Sequence, residues 1–270
     1  MKRLLVSLLA LVLTLSLAGV ASANTPVKIG ASITPHAEVL TFVKDALAEK
    51  GFDLDVVEIP DYVIPNTATE DGELDANFFQ NLNYLNWFND EYGTRLVAAI
   101  SMHFEPMGVY PGSEGGKSRT SLADLQDGDK IAVGNDTTNQ ARALLLLQAQ
   151  GLIKLAEGVG VEATKLDIVE YAVNFELIEM DAPQIPLRLA DVAFGVINGN
   201  YALQHGLNVT KDSVASEAAD TIDPGYINYV VVKEGNEDAP FVQALREILN
   251  SDDVRAFYEE TYPGASVPAF

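Results

Sequence analysis

The chain has 270 residues, of which 48% are apolar and 21% charged, and acidic residues outnumber basic ones to give a formal net charge of −22. That balance is an ordinary globular one and excludes a disordered or fibrous chain. So acidic a surface repels nucleic acid and anionic membranes. With no cysteine in the sequence, a disulfide framework is also excluded.

The chain opens with a basic pair, Lys2 and Arg3, followed by an apolar run over residues 4–17 broken only by Ser7, Thr14 and Ser16. Ala21-Ser22-Ala23 then forms a small-residue cleavage pattern. The run is short for a membrane span, which needs ~20 residues. Residues 1–23 therefore read as a secretory signal, and loss of its two basic residues takes the net charge from −22 to −24. No later stretch is long and apolar enough to span. The expectation is an exported protein, in the periplasm or at the cell exterior, without a cysteine to carry a lipid anchor.

Val27-Lys28-Ile29-Gly30-Ala31 reads as a strand. Thr34 and Pro35 suit the cap and first position of a helix, in which Val39, Leu40, Val43, Ala46 and Leu47 recur at helical spacing. Gly51 ends it, and residues 54–59 form the next strand. This is a βαβ unit and implies a parallel sheet. Further strands are expected at residues 74–78, 96–100, 107–110, 130–133, 168–170, 177–179, 193–197 and 226–232. Helices are expected at residues 84–92, from 137 to Gly151, at 241–249 and at 253–261. No short repeat is present, so two α/β halves are expected. The Gly/Ser-rich stretch 112–121 and the turn-rich stretch 221–225 mark the boundaries. The first half is residues 24–110 together with 226–270, and the second is residues 111–225.

Three groups of residues could hold a ligand. Asn135-Asp136-Thr137-Thr138-Asn139-Gln140-Ala141-Arg142 follows a strand and opens a helix. A helix N-terminus can accept an anion, and Arg142 adds a guanidinium suited to a carboxylate. The alternative is a capped helix whose arginine pairs with one of the many acids. Tyr62, Phe78, Phe79, Tyr84, Trp87 and Phe88 form an aromatic group with Gln80, Asn81 and Asn83 interleaved. Such a group can wall a pocket or simply pack the core, and alternation turns Phe78 and Phe79 in opposite directions if the segment is extended. Asn198-Gly199-Asn200-Tyr201 lies at a strand end, where open α/β sheets bind ligands. Asn228 is an amide inside an apolar strand and needs a partner.

Catalytic and metal chemistry are not expected. Neither a nucleophile elbow nor a phosphate-binding P-loop occurs. His36, His103 and His205 are scattered without metal-ligand spacing and read as surface or loop histidines. No cofactor is implied.

Taken together, Asp61-Tyr62-Val63-Ile64-Pro65-Asn66, Asp75-Ala76-Asn77-Phe78-Phe79-Gln80, His103-Phe104-Glu105-Pro106-Met107-Gly108, residues 135–147, Ala182-Pro183-Gln184-Ile185-Pro186 and Val196-Ile197-Asn198-Gly199-Asn200-Tyr201-Ala202 resemble the NlpA-type methionine-binding proteins of ABC importers. The resemblance covers essentially the whole mature chain. It implies a two-lobe periplasmic-binding-protein fold, type II-like, each lobe a mixed, mainly parallel sheet flanked by helices. It implies a monomer that binds L-methionine, carries out no reaction and docks on a membrane permease. By motif, Arg142 would hold the ligand carboxylate, and Asn139, Asn198 and Asn228 the amino-acid backbone. Tyr62, Phe79 and Tyr84 would wall the side-chain pocket. The family usually has histidine where this chain has Asn81, beside that pocket, and proline where it has Asn83. A more polar amino acid, a methionine derivative or a short peptide is the alternative ligand, and an exported enzyme on the same scaffold is the alternative class.

Overall fold

The computed structural model describes residues 23–218 and 223–270. The expected leader lies outside the described residues except for Ala23, and so does part of the second expected boundary.

Strand β1 (Thr25–Ala31) leads through a wide turn into α1 (Glu38–Phe42) and α2 (Lys44–Glu49), one rod interrupted at Val43. Thr34 does not cap this rod: its backbone is extended, with φ −127 and ψ 135, and its hydroxyl donates to the Glu38 carboxylate at 2.6 Å. Gly51 ends the rod at φ +90, a conformation that costs glycine little. Strand β2 (Phe52–Glu58) then pairs parallel to β1, with Ile29 opposite Val56. A helix not anticipated from the sequence, α3 (Ile64–Asp71), precedes β3 (Ala76–Asn81), α4 (Leu82–Tyr92) and β4 (Leu96–Phe104). Pro65 at its start and polar Asn66 and Thr67 disguise α3 as a loop, although proline in a first turn costs no hydrogen bond.

The chain continues with β5 (Gly108–Pro111), β6 (Lys130–Gly134), α5 (Thr137–Ala149), β7 (Ile153–Leu155), β8 (Ile168–Tyr171), β9 (Glu176–Met180) and β10 (Phe194–Ile197). Two short helices, α6 (Gly199–Gln204) and α7 (Val209–Asp212), lead to β11 (Ala215–Ser216) and β12 (Ile227–Lys233). Helices α8 (Pro240–Leu249) and α9 (Asp252–Thr261) and strand β13 (Val267–Pro268) complete the chain.

The strands form two mixed sheets, ordered β13-β4-β12-β3-β1-β2 and β11-β5-β10-β6-β9, with β7 and β8 paired apart from both. In the first sheet β1 is parallel to β2 and β3, while β12 runs antiparallel between β3 and β4. In the second, β6 is parallel to β9 and β10, and β5 is antiparallel to β10. Because β5 pairs in the second sheet, the chain crosses at Glu105-Pro106-Met107 rather than in the glycine-rich stretch beyond residue 110. Glycine content marks a surface turn there, whereas the crossing itself is a short buried segment. The tail rejoins the first sheet, and Ile227 at the start of β12 sits opposite Phe104 at the end of β4.

Apolar faces fix this arrangement. Leu40 and Leu47 from the broken rod, with Val242, Leu245 and Leu249 from α8, close over Ile29, Ile100 and Val230 of the first sheet. Leu144 and Leu147 of α5 close over Ile131, Val133, Phe194 and Val196 of the second. Among the described residues no helix is long and apolar enough to cross a membrane.

A buried amide network ties α3 to β3. Asn77 Nδ2 donates to Thr69 Oγ1 at 2.8 Å and Asn66 Oδ1 at 3.1 Å, and Gln80 Nε2 donates to Asn77 Oδ1 at 2.8 Å. A network of this kind is favourable only while every member is paired. Asn77→Ala should therefore lower the unfolding free energy by about 2–3 kcal/mol, measured by urea denaturation.

Candidate functional site

The parallel strands of both sheets point their carboxyl ends at one region. β1 runs out into the turn holding His36, β3 ends at Asn81, and β4 ends beside Glu105. β6 delivers the start of α5, and β10 delivers Asn198-Gly199-Asn200. The antiparallel β12 brings its beginning, Asn228, to the same edge. Register sets Asn81, Asn228 and His103 in a row across β3, β12 and β4.

A cavity lies where these ends meet. All eight residues singled out from the sequence line it: Tyr62, Phe79, Asn81, Tyr84, Asn139, Arg142, Asn198 and Asn228. Gln80, Glu105, Gly199 and Asn200 line it as well.

One wall is aromatic. The Tyr62 ring stacks on Phe79 at 5.5 Å between centroids and on Tyr201 at 5.0 Å, and Tyr84 meets Phe79 edge-on at 5.9 Å. The Tyr84 hydroxyl donates to the Tyr62 carbonyl at 3.1 Å, which satisfies its phenol end. Phe78 points the other way, edge-on to His36 at 4.6 Å. Asn81 both lines the cavity and caps α4, its Oδ1 accepting from the Tyr84 N–H at 3.0 Å. Asn83 lies away from this wall, packed under Gly225, where a Cβ would come within 2.5 Å of the amide oxygen.

The opposite wall is polar and comes mainly from the second sheet. Asn198 Nδ2 donates to Asn139 Oδ1 at 2.9 Å, locking two of the expected residues together. The Asn200 carboxamide oxygen accepts from the Tyr62 hydroxyl at 2.6 Å, and its buried Nδ2 has no hydrogen-bond partner among the described residues. The N-terminus of α5, expected to receive an anion, is partly filled. Asp136 caps it and accepts the Asn139 N–H at 3.0 Å, so one of its amides is spent.

Arg142 is buried and paired. Its Nε donates to Glu217 Oε1 at 2.7 Å, its Nη2 donates to the Glu105 carbonyl at 2.8 Å, and its guanidinium lies over the Tyr226 ring at 4.3 Å. Burial works against its charge, but Glu217, Tyr226 and Glu105 more than offset this and hold its pKa above the ordinary value. The sequence posed a choice between a ligand clamp and an acid-paired arginine. The structure shows the acid pairing, through Nε and Nη2, and also places Arg142 in the cavity lining.

Glu105 is the feature the sequence reading missed. Its carboxylate is buried, accepts from His103 Nε2 at 2.7 Å and lies 3.7 Å from His36 Nε2. Burial pushes its pKa up, against the pull of His36, Arg142 and the Asn200 backbone N–H. His36 and His103 are neither surface nor scattered: both are fully buried with ring centroids 5.0 Å apart. Desolvation lowers the pKa of His36 to about 4 and of His103 to about 3, so both imidazoles are neutral near pH 7. Only strand pairing across β4, β12 and β3 brings them together, which residue spacing cannot reveal. His36, His103 and Glu105 place three possible metal-ligand atoms within 4.8 Å of one another. The pair at 2.7 Å is a hydrogen bond. Tetrahedral zinc ligands, with bonds of about 2 Å, stand about 3.3 Å apart.

The model of the family described as NlpA lipoprotein matches residues 27–270. A D-methionine-binding lipoprotein of Salmonella typhimurium is 39% identical over 244 residues, spanning 89% of this chain and 87% of that protein. Two solved structures share the fold. A nutrient-binding protein from Burkholderia cenocepacia bound to methionine has a TM-score of 0.84 at 39% identity, covering 90% of this chain and 100% of that one. A periplasmic substrate-binding protein of an ABC transporter from Coxiella burnetii has a TM-score of 0.82 at 33% identity, covering 90% and 100%. The two-lobe α/β architecture expected from the sequence is thus the fold of this chain.

These relatives overturn one expectation, that of a protein exported without a lipid anchor. The matching family is a lipoprotein family, and the Salmonella relative is named a lipoprotein. The expectation rested on the absence of cysteine alone, which bears on a single attachment chemistry and does not establish where a protein resides.

Proposed function

The chain belongs to the NlpA lipoprotein family, and from that premise we propose that it is the substrate-binding protein of an ABC importer and captures L-methionine. The observation that carries the ligand is the cavity between the two sheets, aromatic on one wall and charged on the other. A thioether suits the faces of Tyr62, Phe79 and Tyr84. An amino acid's carboxylate suits the side of Arg142 that Glu217 leaves unused. Asn139, Asn198 and Asn228 supply donors and acceptors for the ligand backbone, and Glu105 opposes its ammonium. The lobes are the portions built on the first and second sheets, and they close over the ligand by turning at the two crossings. The protein acts as a monomer that hands unchanged ligand to a membrane permease, and residues 1–23 serve as its secretory signal. Asn81 in place of a histidine, together with the unpartnered Nδ2 of Asn200 beside Tyr62, supports a second reading in which the ligand is an amino acid with an acceptor on its side chain.

A thermal-shift screen against the amino acids separates the two. Saturating L-methionine at a hundred times its Kd should add about 2.7 kcal/mol of stability; a shift confined to polar amino acids would select the second reading. Arg142→Ala should weaken binding of L-methionine about 30- to 100-fold in calorimetry, because a charge-assisted bond is lost.

The raised pKa of Glu105 gives binding a pH dependence. An ammonium favours the ionised carboxylate, so binding releases a proton wherever free Glu105 is protonated. Affinity should rise with pH through the raised pKa of Glu105 and level off above it. Titrations from pH 5 to pH 7 should show this rise in the native protein and a flat profile in Glu105→Gln.

A further inference from the structure

Two fully buried side chains outside the cavity form a chain of hydrogen bonds that ends on Glu105. Tyr258 of α9 lies 3.0 Å from His103 Nδ1, and His103 Nε2 lies 2.7 Å from Glu105 Oε1. The Tyr258 and His103 rings pack 4.9 Å apart, and neither residue is exposed. The polarity of this chain follows from donor chemistry. An ionised carboxylate only accepts, so where Glu105 is ionised the single proton of neutral His103 sits on Nε2, and Nδ1 accepts from the Tyr258 hydroxyl. On its other side the Glu105 side chain rests against the bare Cα of Gly199, where a Cβ would come within 2.7 Å of Glu105 Cβ and 3.0 Å of Oε2. The carboxylate is thus held from behind by an imidazole and walled by a glycine, and it borders the cavity.

We propose that His103 and Tyr258 are positioning residues that fix the Glu105 carboxylate toward the ammonium of the bound amino acid. The C-terminal helix α9, which contributes nothing to the cavity lining, thereby takes part in ligand recognition through two hydrogen bonds. This role rests on the amino-acid-binding function proposed above. It predicts selectivity, because loss of a positioning bond harms only ligands that bear the ammonium.

The test titrates the full chain and its Tyr258→Phe variant with L-methionine and with 4-methylthiobutanoate, which keeps the carboxylate and thioether but lacks the amine. Tyr258→Phe should weaken methionine about three- to tenfold and leave the des-amino compound within about twofold of the native value. Equal weakening of both compounds, or no change in either, would overturn the positioning role while leaving amino-acid binding intact. Native protein that binds neither compound would remove the methionine reading and this role with it. Nitrogen-15 NMR, at a pH above the plateau of the binding profile where Glu105 is ionised, supplies an independent readout of the chain: His103 should carry its proton on Nε2, and a proton on Nδ1 would refute the arrangement.

Discussion

Burying a carboxylate where two sheets meet is the constraint around which the rest of the site is built. An unpaired buried charge costs several kcal/mol, so such a group persists only with donors around it. Glu105 draws an imidazole N–H from β4 and a backbone N–H from the start of α6, while its own carbonyl engages Arg142. These donors come from both sheets, so the residue that needs them also fastens the sheets together. Their compensation is partial, as the upward push on its pKa records. A cationic group in the cavity would complete it. Arg142 is the mirror case: Glu217 answers its charge on one side, and the cavity lies on another.

Topology explains why such groups meet at all. In a parallel arrangement the strand ends that carry loops gather on one edge, and ligands bind there. Here the edges of two sheets face each other, so aromatic residues from one and amides from the other close on the same space.

Much of this was readable in the sequence, because strand ends carry their polar residues adjacent in the chain. Asn198 follows directly on β10, and Asn139 and Arg142 open α5 directly after β6. The alternation of Phe78 and Phe79 likewise follows from strand geometry. What escaped reading depends on pairing between distant segments. The approach of His36 to His103 is decided by sheet order, and the pairing of Arg142 with Glu217 by the return of the chain to β11. The cap of α5 escaped for a different reason: a cap and an anion compete for the same amides, and the sequence does not say that Asp136 takes the Asn139 N–H. Asn81 shows a third limit, since one side chain serves a helix and a cavity at once.

The two crossings between the sheets leave from neighbouring strands, with Phe104 opposite Ile227. This has a mechanical consequence. Two tethers mounted side by side on one post resist sliding and twisting, because either would stretch one tether against the other. Were the halves to turn, they would turn about the line joining these tethers, and Glu105, which belongs to the first of them, would keep its setting.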